Sequence, residues 1–297
     1  VVRYDIGLRN SGLRDTGLKD SGLKDSEARR NQAGQGNPEM PERSDATAQA
    51  SLQGKPSMKI VVISDLHLGA VHSEGRLEKV AGKILALKPD LVLIPGDIFN
   101  DDFRRIQDPE RVKRLFRQLC EQAPFGVYAS LGNHDGGRTF PQMVEFLRDC
   151  GIGLLMEESV VVDGPTGRFV LVGRLDPSPI GGYGGLRRKP TRELLAEVAE
   201  LASGGPGGPR MPVIVMDHTP RHLEQYGREV DLIVSGHTHK GQLFPNNLIT
   251  RRMYVADYGY YRKDPDSPHV IVTSGAGTWG MPMRVGSDCE IVEIALV

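Results

Sequence analysis

The sequence predicts an α/β fold in four layers, α/β/β/α, with two mixed β-sheets face to face and helices outside. Two observations carry this expectation. From Met58 the chain alternates short β-branched runs with helical patterns, the order that builds right-handed βαβ crossovers and parallel strands. The second half then changes texture, adding a hairpin and several short strands, more than one sheet accommodates.

The first 57 residues stand apart. Positions 6 to 25 hold four tandem units, Ile-Gly-Leu-Arg-Asn, Ser-Gly-Leu-Arg-Asp, Thr-Gly-Leu-Lys-Asp and Ser-Gly-Leu-Lys-Asp, and residues 26 to 57 stay polar with Pro, Gly, Ser and Gln. A glycine in every unit weakens a helix and one leucine per unit buries little. Residues 1–57 are therefore expected to be a low-complexity, disordered tail and linker, and 58–297 the folded domain.

Within that domain, Lys59 to Ile63 reads as a strand. Glu74 to Leu87 places Leu77, Val80, Ala81, Ile84 and Leu85 at helical spacing, and Leu91 to Ile94 is the next strand. Pro109 to Gln122 puts Val112, Leu115, Phe116 and Leu119 on one helix face, and Val127 to Leu131 supplies a third strand. Ser159 to Val162 and Arg168 to Val172, joined by Asp-Gly-Pro-Thr-Gly, form an antiparallel hairpin. Thr191 is expected to cap a helix carrying Leu194, Leu195, Val198 and Leu201, which Gly204 to Pro209 ends. Strands follow at Val213 to Met216, Leu232 to Val234, His269 to Thr273 and Glu290 to Leu296.

Charge excludes little and directs little. With 37 basic and 38 acidic residues in 297, the net charge of −1 gives no field to draw nucleic acid or an anionic membrane to the whole molecule. Arg104, Arg105, Arg111, Lys113, Arg114 and Arg117 crowd one segment, but Asp101, Asp102, Asp108 and Glu110 are interspersed, as on a solvated helix face. Cys120, Cys150 and Cys289 are too scattered for a disulfide framework and read as buried thiols. No run approaches the roughly 18 apolar residues of a membrane span. The expectation is a soluble chain, cytoplasmic or peripherally membrane-associated, with a missing upstream anchor left open.

The chemistry sits where strands end. Ser64-Asp65-Leu66-His67, Gly96-Asp97, Gly132-Asn133-His134-Asp135, Asp217-His218 and Gly236-His237-Thr238-His239 each follow an apolar run. Ligands in open α/β sheets bind beyond the carboxyl ends of strands, and Asp, Asn and His suit Mn, Fe or Zn. Asp65 and His67 are two apart, so an extended backbone would point both the same way. Taken singly, an Asp after a strand also serves as a turn or helix cap. Two imidazoles spaced by one residue are expensive to bury without purpose. His72 and His222 read as loop and surface residues.

These five motifs, spanning residues 65 to 239, resemble the series of the calcineurin-like metallophosphoesterase superfamily. The resemblance implies two metal ions, divalent or trivalent Mn, Fe or Zn: Asp65, His67 and His239 on the first, Asn133, His218 and His237 on the second, Asp97 bridging. It implies hydrolysis of a phosphodiester, pyrophosphate or phosphomonoester by a metal-bridging hydroxide. His134 would contact the phosphate and protonate the leaving oxygen, with Asp135 orienting it. Gly-His-Thr-His-Lys-Gly-Gln-Leu-Phe-Pro at 236–245 and Ser-Gly-Ala-Gly-Thr-Trp-Gly-Met-Pro-Met-Arg at 274–284 are similar to a bacterial branch, sometimes membrane-tethered, of phosphodiesterases and lipid-precursor pyrophosphatases. A lipid-linked substrate and peripheral membrane contact follow as expectations.

Two further expectations concern substrate. Gly277 would let backbone approach the site, and Arg284 either offers a fork to phosphate or lies on the surface. The segment from Leu243 to Pro268 interleaves aromatics with Arg251, Arg252, Arg262 and Lys263, which suits a lid, a patch facing acyl chains, or packing over the second sheet. A nuclease is the alternative enzyme, disfavoured by the missing basic stripe. A non-catalytic scaffold of the same fold is the alternative outside enzymes, disfavoured because every ligand position is filled.

Overall fold

A computed structural model describes residues 1–8, 58–205 and 208–296. Among them lie two six-stranded mixed sheets and five α-helices. The first sheet starts with β1 (Val2–Ile6) and β2 (Met58–Val62), continues through β3 (Leu91–Pro95), β4 (Val127–Ser130) and β5 (Gly153–Leu154), and takes the last strand, β12 (Val292–Leu296), in the order β1-β12-β2-β3-β4-β5. Strands β2 to β5 run parallel, as the βαβ series predicts, while β12 lies antiparallel to β2. The second sheet holds β6 (Glu158–Gly164), β7 (Gly167–Gly173), β8 (Val213–Met216), β9 (Leu232–Ser235), β10 (Gly259–Tyr261) and β11 (His269–Val272), in the order β10-β11-β9-β8-β7-β6. Its β6–β7 edge is the expected hairpin.

Side-chain alternation builds the layers. On β2 and β3, Ile60, Val62, Leu91 and Leu93 face inward onto Leu171, Ile214, Met216 and Leu232 of the second sheet, while Val61, Val92 and Ile94 face the helices outside. Those helices are α1 (Ser73–Leu87), α2 (Pro109–Gln122) and α3 (Phe140–Asp149). Asp108 caps α2 through the Arg111 N–H, and Pro109 occupies its first turn. On the other side α4 (Thr191–Ala202) lays Leu194, Leu195 and Val198 over Val170, Val172 and Val213. The remaining helix, α5 (Asn246–Met253), buries none of its residues.

Several expectations need correction. Val2–Ile6 is a strand, paired in parallel with β12 from Val2↔Val292 to Ile6↔Leu296, so the start of the expected tail belongs to the first sheet. Alternating exposure along Val2, Arg3, Tyr4, Asp5 and Ile6 is the half-buried edge pattern, and Ile6 reaches the core between the sheets. The repeats beyond Leu8 and the linker to Ser57 lie outside the described residues. Thr191 does not cap α4, since its hydroxyl donates to Gln225 Oε1 at 2.6 Å and receives Arg174 Nη1 at 2.9 Å. Cys150 is buried and Cys120 half-buried, but Cys289 is exposed. The basic segment is a solvated face, with Arg104 on Asp102, Arg111 on Glu78 and Lys113 on Asp149. His72 and His222 are exposed. No helix among the described residues is long and apolar enough to cross a membrane.

Candidate metal centre

Five strands of the two sheets deliver their following loops to one edge. Asp65 and His67 come after β2, Asp97 after β3, Asn133 after β4, His218 after β8, and His237 and His239 after β9. Asp65 and His67 do not share a side through extended backbone. Both lie past the end of β2 in the left-handed region, with φ 56° and 49°. Their N–H groups still donate to Gly96 and Asp97 carbonyls at 3.1 Å, so the loops after β2 and β3 stay stitched while the side chains turn inward. Asp97, His237 and His239 are left-handed too, at 53°, 71° and 49°. Such backbone costs roughly 1–2 kcal/mol per non-glycine residue, and its concentration on these ligands marks a site that the surrounding fold holds in place.

Two donor groups result. Asp65, His67 and His239 form one, Asp97, His218 and His237 the other, with ligand atoms inside each within 4.8 Å of one another. In the first, His67 Nε2 is 3.1 Å from His239 Nε2, which is 3.3 Å from Asp65 Oδ1. In the second, His218 Nε2 is 3.2 Å from Asp97 Oδ2 and 3.3 Å from His237 Nδ1, and Asn133 Oδ1 approaches that Nδ1 to 2.8 Å. Asp97 Oδ2 is also 3.8 Å from His67 Nε2, so one buried carboxylate stands between the groups.

The donors suit borderline metal ions. Burial, outweighing Asp97 and Asp65, lowers His67 to about 4, and burial with the Arg284 charge lowers His239 to about 3. Both imidazoles are thus neutral near pH 7, the form that ligates. His237 is lowered as well, chiefly by burial. His218 Nδ1 donates to Pro95 O at 2.8 Å, which fixes the ring with Nε2 turned toward Asp97. Burial alone would raise Asp97 and lower His218, but their mutual charge and hydrogen bond prevail, holding the carboxyl low and the imidazole high. Next to His218, Asp217 takes a two-pronged Arg188 at 2.8 and 2.7 Å and the Tyr226 hydroxyl at 2.7 Å, which fixes that loop.

His134 reaches the same edge. Its N–H donates to Asp97 Oδ1 at 2.9 Å, and its ring meets that of His67 edge-on at 5.1 Å. The residue expected to orient it does not. Asp135 turns into the interior, where its two oxygens accept from Phe99 N and Gly132 N, each at 2.8 Å, and staple the loops after β3 and β4. Burial and the neighbouring Asp97 push its carboxyl up to about 8. Asp101 takes the orienting place, with Oδ1 2.6 Å from His134 Nδ1. The only sequence signal for it was a carboxylate four residues after Asp97.

Of the two substrate expectations, Gly277 does bring backbone close against the site, while Arg284 presents no free fork. The Arg284 guanidinium is spent on the protein: Nη2 donates to Ser274 O and Gly277 O, both at 2.7 Å, Nη1 donates to His239 O at 3.1 Å, and Nη2 also lies 3.1 Å from His239 Nδ1. It braces His239. Gly277 is packed so closely on the loop after β2 that a Cβ would fall 2.3 Å from Asp65 O. The segment from Leu243 to Pro268 divides three ways. Tyr254 packs by His237 with ring centroids 6.1 Å apart, Gly259–Tyr261 joins the second sheet, and α5 turns its apolar residues outward.

Comparison with known proteins matches residues 58–241 to the calcineurin-like phosphoesterase family. The chain belongs to that family. It is similar to an uncharacterized metallophosphoesterase of Aquifex aeolicus, 31% identical over 80% of this chain and 85% of the relative. A transmembrane protein with metallophosphoesterase domain from Danio rerio is 29% identical over 80% of this chain but only 53% of its own length, and a Helicobacter pylori relative is covered over 60%. The chain thus spans just over half of several relatives. Among solved structures, a 5'-nucleotidase precursor from Thermus thermophilus is similar at 19% identity and TM-score 0.48, covering 81% of this chain and 54% of that one. This metallophosphoesterase therefore carries two candidate metal-binding groups side by side.

Proposed function

We propose that this metallophosphoesterase hydrolyses a phosphodiester or pyrophosphate bond, in preference to a monoester, at a dinuclear centre. Asp65, His67 and His239 would hold one ion, Asn133, His218 and His237 the other, and Asp97 both. The observation that supports this most is the Asp97 carboxylate, which lies within 3.2 Å of His218 Nε2 in one group and 3.8 Å of His67 Nε2 in the other. Two Mn, Fe or Zn ions bound there would supply an acidified water and positive charge for the phosphoryl oxygens.

The chain's own groups complete the reaction. With Nδ1 engaged by Asp101, His134 would use Nε2 to hand a proton to the leaving oxygen. Asp101 acts through that ring as a positioning residue. Arg284 braces His239 and stays off the substrate.

The test is an assay of protein reconstituted separately with Mn, Fe or Zn on nitrophenyl phosphate and bis-nitrophenyl phosphate, with Asp97→Ala alongside. Faster turnover of the diester, lost in the variant, is expected. Activity surviving in Asp97→Ala would overturn the shared-ligand assignment, and a faster monoester would overturn the bond preference.

A further inference from the structure

The rim of the metal centre carries an apolar face that the described fold leaves uncovered. Phe244, Leu248, Ile249 and Met253, on or beside α5, are 57–62% exposed, and Trp279 and Met281 on the loop after β11 are 56% and 61% exposed. Both segments form one surface. The Gln242 side chain donates to Trp279 O and accepts from Trp279 N, each at 2.7 Å, and Phe244 N donates to Val285 O at 2.8 Å. Within α5, Leu248 precedes Arg252 and Ile249 precedes Met253 by one turn, so apolar and cationic groups share a strip.

Charge selects the occupant. No Asp or Glu occurs between Lys240 and Ala256 or between Ala276 and Ser287, while Arg251 and Arg252 are exposed. An apolar tip with a cationic flank and no carboxylate complements an anionic lipid headgroup layer, where arginine stems lie along the apolar surface with their heads at the phosphates. The face also borders the chemistry, since the Trp279 ring is 6.3 Å from that of His134.

We propose that this face seats on an anionic bilayer, with α5 and the Trp279 loop at the boundary of headgroups and acyl chains. The metal centre would then meet a phosphoryl group carried by an amphiphile in that bilayer, a step that rests on the phosphoesterase reading above. The docking itself does not need that reading.

Trp279 is the chain's single tryptophan, so its fluorescence reports this loop alone. The full chain is titrated with vesicles of phosphatidylcholine, and of phosphatidylcholine mixed with phosphatidylglycerol. On the mixed vesicles, emission moves to the blue and is quenched by brominated acyl chains, and Leu248→Glu with Ile249→Glu abolishes both effects. Arg251→Ala with Arg252→Ala weakens binding to mixed vesicles about thirtyfold. All these variants keep wild-type turnover of soluble bis-nitrophenyl phosphate. Unchanged emission on mixed vesicles, or equal binding to both compositions, overturns the proposal. So does a dimer that the Leu248→Glu/Ile249→Glu pair dissociates in protein that ignores vesicles. Intact vesicle binding without turnover of any ester overturns only the delivery of substrate.

Discussion

Replacing Gly277 by Ala tests whether the loop after β11 sets the first donor group. The added Cβ would stand 2.3 Å from Asp65 O, 2.6 Å from Leu66 O and 2.9 Å from Leu66 C, whereas real Cβ contacts essentially never fall below 3.0 Å. The two loops must therefore part by about 0.7 Å. All three neighbours are backbone atoms, so no rotamer change absorbs the shift. Asp65 moves with its own carbonyl. Gly277 O accepts from Arg284 Nη2 at 2.7 Å and Nε at 3.1 Å, so the brace on His239 is displaced too. Overpacking of this kind costs about 1–3 kcal/mol, and disturbing the support of a ligand weakens metal binding by roughly ten- to a hundredfold. Metal analysis after dialysis against fixed free manganese should find the second ion retained and the first depleted, with a lower urea midpoint. Gly75→Ala in α1, where a Cβ meets nothing within 4 Å, should change neither reading. Two ions per chain and a wild-type midpoint in Gly277→Ala would refute the reasoning.

Other outcomes follow from the same geometry. His134→Ala should keep both ions yet lose about a hundred- to ten-thousandfold in rate on an alkyl diester; a wild-type rate there removes His134 from proton transfer. Asp101→Asn should slow the alkyl diester more than the nitrophenyl one, because only the former needs a well-aimed proton, and equal losses would indicate a structural role alone. Arg284→Met leaves several part-buried carbonyls short of a donor and should destabilise the chain by about 1–3 kcal/mol, measured by urea denaturation. Acid should weaken the chelator-treated protein: His67 at about 4 and His239 at about 3 lie below the ordinary 6.5, so the unfolded chain binds more protons there. Their contribution is complete above pH 6.5 and fades as pH falls through those values, by a few kcal/mol each. His218, raised well above 6.5, works the other way and loses its contribution as pH rises. A urea midpoint that stays flat from pH 7 to pH 4 would contradict this.

The donor set was legible because each ligand follows an apolar strand, and within each sheet the strands that carry ligands run parallel and end on one side. Directions inside the loops were not legible. Asp135 is adjacent to His134 in sequence, yet it faces Phe99 and Gly132, while Asp101, 33 positions earlier, meets the imidazole. The left-handed φ of 65° at Asp101 aims that side chain, and nothing in a non-glycine residue announces it. Arg284 was visible as a fork, but what the fork grips depended on carbonyls from Ser274, Gly277 and His239 that only the closed structure gathers. α5 escaped notice because its apolar residues face outward, so it lacks the stripe of a core helix. β1 escaped because five residues of strand precede a compositionally dominant repeat.

That strand changes what the repeats are attached to. β1 and β2 flank β12 on opposite sides, so the chain leaves the first sheet at Ile6 and returns to it at Met58. Both strands that flank the intervening sequence are thus paired with one carboxyl-terminal strand. Pairing from Val2↔Val292 to Ile6↔Leu296 covers the outer side of β12, whose row of N–H and C=O groups would otherwise stand open to another chain.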